Sequence, residues 1–244
     1  MSSPAGAAPA ALTFSAVTKH YAGRPVLNNL NLMITARATA LVGVNGAGKS
    51  TLLRASLDLI GIDAGSIAID GLDHRSPQAR ANLAYLPERF LPPHYLNGRE
   101  LLRALQRLHG GAYDEAAAVA CCRALDFDPA LLERRARDYS KGMTQKLGLA
   151  ACLLARRSLL ILDEPLSGLD PLARRYCCEQ LAAEKMRGTG LLFSTHTLHG
   201  LEALCDWVVV MHAGRIIFDD TLPVLKALHP TGTADEALLE LIAG

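Results

Sequence analysis

The sequence predicts an α/β protein: a mainly parallel β-sheet covered by helices on both faces, with a helical lobe inserted between two of its strands. Three observations predict it. Short apolar runs of strand character alternate with helical stretches on either side of the middle third, and that order demands a parallel sheet joined by crossovers. The run Ala38–Val42 passes directly into a glycine-rich loop, Gly43–Ser50, and then into a helical stretch. Between Gly98 and about Arg156 the apolar repeat lengthens from two residues to about 3.6, the period of a helix face.

Taken in order, Leu12 to Val42 is strand territory: apolar residues alternate or cluster, broken at Gly23-Arg24-Pro25, with Leu30, Leu32 and Ile34 on one face. Leu52, Leu53 and Leu57 mark the helix after the glycine loop. Ser66–Ile69 reads as a short strand ended by the turn Asp70-Gly71, and Leu83–Leu86 as another before Pro87. In the lobe, Leu101, Leu102, Leu105 and Leu108 share a side opposite Arg103 and Arg107. Beyond it, Leu159–Leu162, Leu191–Ser194 and Trp207–Met211 read as strands, Pro171–Met186 as a helix, and Ala213-Gly214 as a turn into Arg215–Phe218. The expected organisation is one folded unit over residues 11–229 with the helical lobe at about 90–156. A flexible tail, 1–10, precedes it, and a short tail, 230–244, with one amphipathic turn through Leu238, Leu239 and Ile242, follows.

Bulk composition narrows the class. At 244 residues, 50% hydrophobic and 20% charged, the chain buries a sizeable core and reads as globular. A net charge of +1 argues against broad polyanion binding, so nucleic acid is not an expected partner. The longest apolar stretch, Leu147–Ala155, stops at Arg156, far short of the roughly 20 residues a bilayer-spanning helix needs. Met1–Ala10 has no basic or leucine-rich segment and does not read as a signal peptide, so a cytoplasmic location is expected. The six cysteines show no C-x-x-C spacing, and the adjacent pairs Cys121/Cys122 and Cys177/Cys178 fall in helical stretches, where neighbours point apart. They read as buried thiols rather than metal ligands.

Two motifs carry chemistry. Gly43–Ser50 fits G-x-x-x-x-G-K-[ST], a pattern that arises by chance in about one chain in a hundred. Its glycines let backbone N–H groups converge on phosphate oxygens, Lys49 neutralises the β- and γ-groups, and Ser50 offers a hydroxyl to Mg²⁺ at a helix N-terminus. Asn45, Gly46, Ala47, Gly48 and the following Thr51 complete the expected phosphate cradle. The second motif is Leu159–Glu164, an apolar strand ending in two carboxylates. Strand carboxyl ends are where ligands sit in parallel sheets, so Asp163 is expected to hold Mg²⁺, directly or through water. Glu164, pointing the other way, is expected to orient and deprotonate an attacking water.

Further residues fall in an order that resembles the ABC ATPase family. Tyr139-Ser140-Lys141-Gly142-Met143 looks like its signature motif, Ser167–Pro171 like its D-loop, and Thr195-His196 like its switch histidine. The resemblance covers roughly Leu12 to Leu228. It implies a P-loop NTPase fold, a RecA-like mainly parallel core sheet with an antiparallel β subdomain and an inserted α-helical subdomain. It implies ATP and Mg²⁺ as ligands, with Tyr21 stacking on adenine. Ser140 and Gly142 of one subunit would cap the γ-phosphate held by Gly43–Ser50 of a second. Asp170 would contact the opposing P-loop, and His196 would hydrogen-bond the γ-phosphate and hold Glu164 and water in line.

Two departures stand out. Glu88, in Tyr85-Leu86-Pro87-Glu88, puts a carboxylate where the family commonly has a glutamine amide touching Mg²⁺ and the attacking water, and is expected with Ser50 and Asp163 on the metal side, binding its charge differently. Lys141 adds a positive charge beside Ser140. Both variants resemble those of cassettes serving ABC-2-type exporters. The expected partners are therefore an integral membrane permease and a second copy or homologous cassette, at the cytoplasmic face of the membrane. The rival readings are a soluble ABC ATPase of iron–sulfur assembly and a non-catalytic nucleotide sensor; the presence of Glu164 and His196 disfavours the latter.

Overall fold

The computed structural model describes residues 12–35, 38–229 and 232–243. The strands are β1 (Leu12–Tyr21), β2 (Arg24–Ile34), β3 (Ala38–Val42), β4 (Ala64–Ile69), β5 (Leu72–Asp73), β6 (Leu83–Leu86), β7 (Leu159–Asp163), β8 (Gly190–Thr195), β9 (Trp207–His212) and β10 (Arg215–Thr221). The helices are α1 (Lys49–Ser56), α2 (Pro77–Arg80), α3 (Gly98–Leu108), α4 (Glu115–Ala124), α5 (Lys141–Leu154), α6 (Pro171–Met186), α7 (Leu222–Ala227) and α8 (Ala234–Ala243). An antiparallel sheet runs in the order β2-β1-β4-β5. A second runs β10-β9-β3-β8-β7-β6, parallel throughout except where β10 pairs antiparallel with β9 at the edge.

The near-continuous apolar runs of the central strands follow from burial on both faces. Alternation sends Ala40, Val42, Leu160, Leu162, Leu191, Phe193, Val208 and Val210 to a core shared with α5, α6 and the lobe. Their neighbours Leu41, Leu159, Ile161, Leu192, Val209 and Met211 face Leu52 and Leu53 of α1 and Phe14, Leu27 and Ile67 of the antiparallel sheet. Position within a strand therefore decides which core a side chain joins, and the same parity later decides which way Asp163 points.

The lobe comprises α3 to α5 and two short 3-10 turns, Pro129–Glu133 and Ala136–Asp138. A capping box starts α3: the Asn97 Oδ1 accepts from Glu100 N at 2.8 Å, and Asn97 N donates to the Glu100 carboxylate at 2.8 Å. Gly98 is required there because a methyl group would run into the Tyr139 hydroxyl. That hydroxyl donates to the Leu131 carbonyl at 2.7 Å, and the ring meets Phe127 edge-on at 5.8 Å. Burial pushes the phenol up to about 12. Tyr139 thus anchors the segment that presents Ser140.

At the other end of the molecule, residues expected to form a tail are folded. Thr233 and Glu236 make a second capping box, with Thr233 N donating to Glu236 at 2.6 Å and Glu236 N to Thr233 Oγ1 at 3.2 Å. Ala234, Ala237 and Leu238 of α8 are buried in the lobe-side core, a helical stripe docked on surface that the rest of the chain supplies. The expected flexible segment 1–10 lies outside the described residues. Among the described residues no helix is long and apolar enough to cross a membrane.

Candidate active site

Four adjacent strands, β3, β8, β7 and β6, end on one edge of the parallel sheet, where such sheets bind ligands. β3 leads into the glycine loop, β8 into His196, β7 into Glu164 and β6 towards Glu88. The loop and the acids are separated only by β8, a span of about 10 Å across two strand spacings.

The loop's conformation needs its glycines. Gly46 (φ 84°) and Gly48 (φ 107°) are left-handed, and a methyl on Gly48 would stand 2.7 Å from the Val26 carbonyl. Gly48 is also the N-cap of α1, so the free N–H groups of that helix open onto the loop. Lys49 is buried, and its ammonium donates to the carbonyls of Gly43 at 2.6 Å and Val44 at 3.2 Å. Burial lowers its pKa, against the raising charges of Glu164, Asp163 and Glu88. A cleft of about 410 Å³ is lined by Asn45, Gly46, Ala47, Gly48, Lys49, Ser50 and Thr51 on one side. Glu88, Glu164, Ser167 and His196 line the other, with Val26 at the margin.

Asp163 has the parity of Leu159 and Ile161 and points towards α1. Its register partner in β8 is Ser194, whose hydroxyl donates to Asp163 Oδ1 at 2.6 Å; Ser50 Oγ donates to the same oxygen at 3.0 Å. The other oxygen, Oδ2, is buried without a partner. A buried carboxylate oxygen left open beside a helix-start hydroxyl suits a divalent cation. Among the described residues no group of three His, Cys, Asp or Glu forms a metal cage.

Glu164 leaves the strand with φ 48°, its N–H donating to Ser194 Oγ at 2.9 Å. This turn swings the carboxylate into the cleft, where His196 Nδ1 lies 3.2 Å from both of its oxygens. From the lobe, Gln145 Nε2 donates to the Pro165 carbonyl at 3.1 Å, tying α5 to the same turn.

Besides Asp163, which lies beneath it, four expected site residues, Ser140, Gly142, Asp170 and Tyr21, do not line this cleft. Ser140 is an exposed N-cap of α5, accepting from Met143 N at 3.2 Å, and Gly142 sits two residues on, beside Gly168. Asp170 caps α6, and the N–H of Ala173 holds its pKa below the usual carboxylate value. Lys141 donates to Ser167 Oγ at 3.0 Å. Tyr21 stands 48% exposed at the end of β1 with the Lys19 ammonium 5.4 Å from its ring centre. Ser194 and Gln145, which the motifs do not single out, belong to the site's support.

A strand, glycine loop and helix meeting a buried aspartate and its neighbouring glutamate in one cleft define a P-loop nucleoside triphosphatase. The family model for ABC transporters matches residues 27–167. A daunorubicin resistance ATP-binding protein of Streptomyces coeruleorubidus is 35% identical over 222 residues, 89% of this chain and 70% of that protein. A Nod factor export ATP-binding protein of Rhizobium leguminosarum bv. viciae is 35% identical over 230 residues, 89% of this chain and 71% of that protein. The chain belongs to the ABC transporter ATP-binding family, and it is an ATPase. A solved ATP-binding subunit of an ABC transporter superposes with a TM-score of 0.81 at 31% identity, covering 94% of this chain and 98% of the other. A dimeric cassette in a post-hydrolysis state, bound to ADP and Pi, shares the fold with a TM-score of 0.79 at 18% identity, covering 86% and 98%.

Proposed function

We propose that this chain is the motor subunit of an ABC-2-type exporter. It pairs with a second copy or a homologous cassette around two Mg-ATP and drives an integral membrane permease from the cytoplasmic face of the membrane. One observation carries the reading: Lys49, Ser50, Glu164 and His196 line one cleft, with Asp163 bonded to Ser50 beneath it, whereas Ser140, Gly142 and Asp170 lie off it at two helix N-termini. The cleft is therefore half a site. The α5 N-terminus of a partner, with its free N–H groups, supplies the anion-binding half.

In this mechanism Lys49 leaves the carbonyls of Gly43 and Val44 for the β- and γ-phosphates of ATP, which the loop N–H groups cradle. Ser50 and Asp163 would hold Mg²⁺, which would supply charge neutralisation for the triphosphate. Glu164 orients water and accepts its proton, while His196 keeps that carboxylate facing the γ-phosphate. Tyr21 stacks on the adenine. ATP favours the closed pair because only that pair completes its contacts, the differential affinity a conformational change needs. The export direction rests on the names of the relatives, daunorubicin resistance and Nod factor export, together with Glu88 and Lys141.

Glu164→Gln tests the reading. The variant should bind ATP, accumulate as a closed dimer on size-exclusion chromatography, and lose turnover by about a hundredfold or more. Wild-type turnover in that variant would remove Glu164 from its role.

A further inference from the structure

The loop that carries His196 is held by a residue far along the chain. β8 ends at Thr195 and His196 is the first loop residue. The three donors that follow it converge on the carboxylate of Asp235: Leu198 N at 2.6 Å on Oδ1, and Thr197 Oγ1 at 2.7 Å and His199 N at 3.2 Å on Oδ2. Asp235 lies in the first turn of α8. That turn is fixed by the Thr233–Glu236 capping box and by Ala234, Ala237 and Leu238 packing in the same core as Leu198. Thr197 is gripped from the other side as well, its carbonyl accepting from Thr195 Oγ1 at 2.8 Å. The His196 ring, by contrast, is 59% exposed and meets Glu164 at 3.2 Å on the same side of the cleft. Its aim depends on its backbone, and that backbone is pinned within two residues by Asp235.

We propose that Asp235 is a positioning residue for ATP hydrolysis, which makes the C-terminal helix part of the support that holds His196 against Glu164. The inference rests on the role given to His196 under Proposed function. The chemistry calls for a carboxylate: three donors need acceptors on both oxygens, and a carboxylate offers only acceptors. An asparagine must turn an NH₂ towards one group of donors, and an alanine leaves the N–H of buried Leu198 without a partner.

The test is a double-mutant cycle on ATP turnover by the full chain, with fluorescent-nucleotide binding and thermal melting measured in parallel. Asp235→Ala should lower kcat about tenfold and Asp235→Asn about threefold, with KM and nucleotide affinity held within about twofold. In a His196→Ala background, Asp235→Ala should change kcat by less than about twofold, because the group it aims is already gone. Ile69→Val, a truncation in β4 within the other core and away from α8, should lower the melting temperature and leave kcat within about twofold at 25 °C. Should Asp235→Ala melt below the assay temperature, Asp235→Asn carries the cycle. Wild-type kcat in the Asp235 variants beside a slow His196→Ala overturns the proposal and leaves His196 in place. Effects that add across the cycle overturn it too, since they mark a general loss of structure. If His196→Ala itself turns over ATP at the wild-type rate, the role of His196 fails and the proposal with it.

Discussion

Ser194 makes two contacts with one hydroxyl, donating to Asp163 Oδ1 and accepting from Glu164 N. Removing it leaves Asp163 with Ser50 alone and the Glu164 N–H unpaired in a part-buried turn. Ser194→Ala should cost about 1–3 kcal/mol in urea unfolding and should lower turnover, as Glu164 loses the bond that sets its turn. Unchanged stability and kcat would show that Ser50 suffices. The residues legible in the sequence were those whose chemistry fixes their spacing. The glycine loop needs left-handed glycines, and the strand needs its acids at its end. Ser194 had no such signal, because its role comes from the register of β7 against β8, a pairing between segments 31 residues apart. Gln145 was hidden for the same reason, reaching the Glu164-Pro165 turn from another element.

At the scale of elements, α3 shows how one glycine fits the lobe together. Gly98→Ala would drive a methyl into the Tyr139 hydroxyl and against Leu132, and should lower stability by about 1–3 kcal/mol in a thermal melt. Adding Tyr139→Phe should recover part of that loss by removing the obstructing oxygen; no recovery would assign the strain to Leu132. Elements with a long repeat were legible: the α3 face of Leu101, Leu102 and Leu105, from which Leu108 departs at 82% exposure at the helix end, the Pro171–Met186 helix, and the strands beneath the site. Short elements such as β5 and α2 were not, since two to four residues carry no period. α8 had a readable start, Thr233-x-x-Glu236, but its docking depends on core surface that no local pattern announces.

Across the whole molecule, the cysteines set a limit in alkali. Burial pushes Cys121, Cys152 and Cys177 from 9.0 to about 12, and Cys122 and Cys205 to about 11. These thiols keep their protons in the folded chain at a pH where the unfolded chain releases them. The unfolded state then binds fewer protons, so stability is full below pH 9 and falls as pH climbs towards 12. Lys49, with its pKa lowered by burial, acts in the opposite sense but is one group against five. Urea midpoints should drop between about pH 8 and about pH 10.5, and alkylation of these thiols near neutrality should track unfolding. A flat midpoint across that range would contradict the burial.

The lobe also has a mechanical identity. β6 and β7 run parallel, so the chain must travel from the finish of one to the start of the other, and the lobe is that return path. Its distal end is latched where Leu159 N and Ser158 Oγ both bond the Asn82 carbonyl, at 3.2 and 3.3 Å. Its proximal end departs through Glu88 and touches the Glu164-Pro165 turn by way of Gln145. The lobe is thus fastened to the sheet at the start of β6 and tied again, through Gln145, to the turn that carries Glu164.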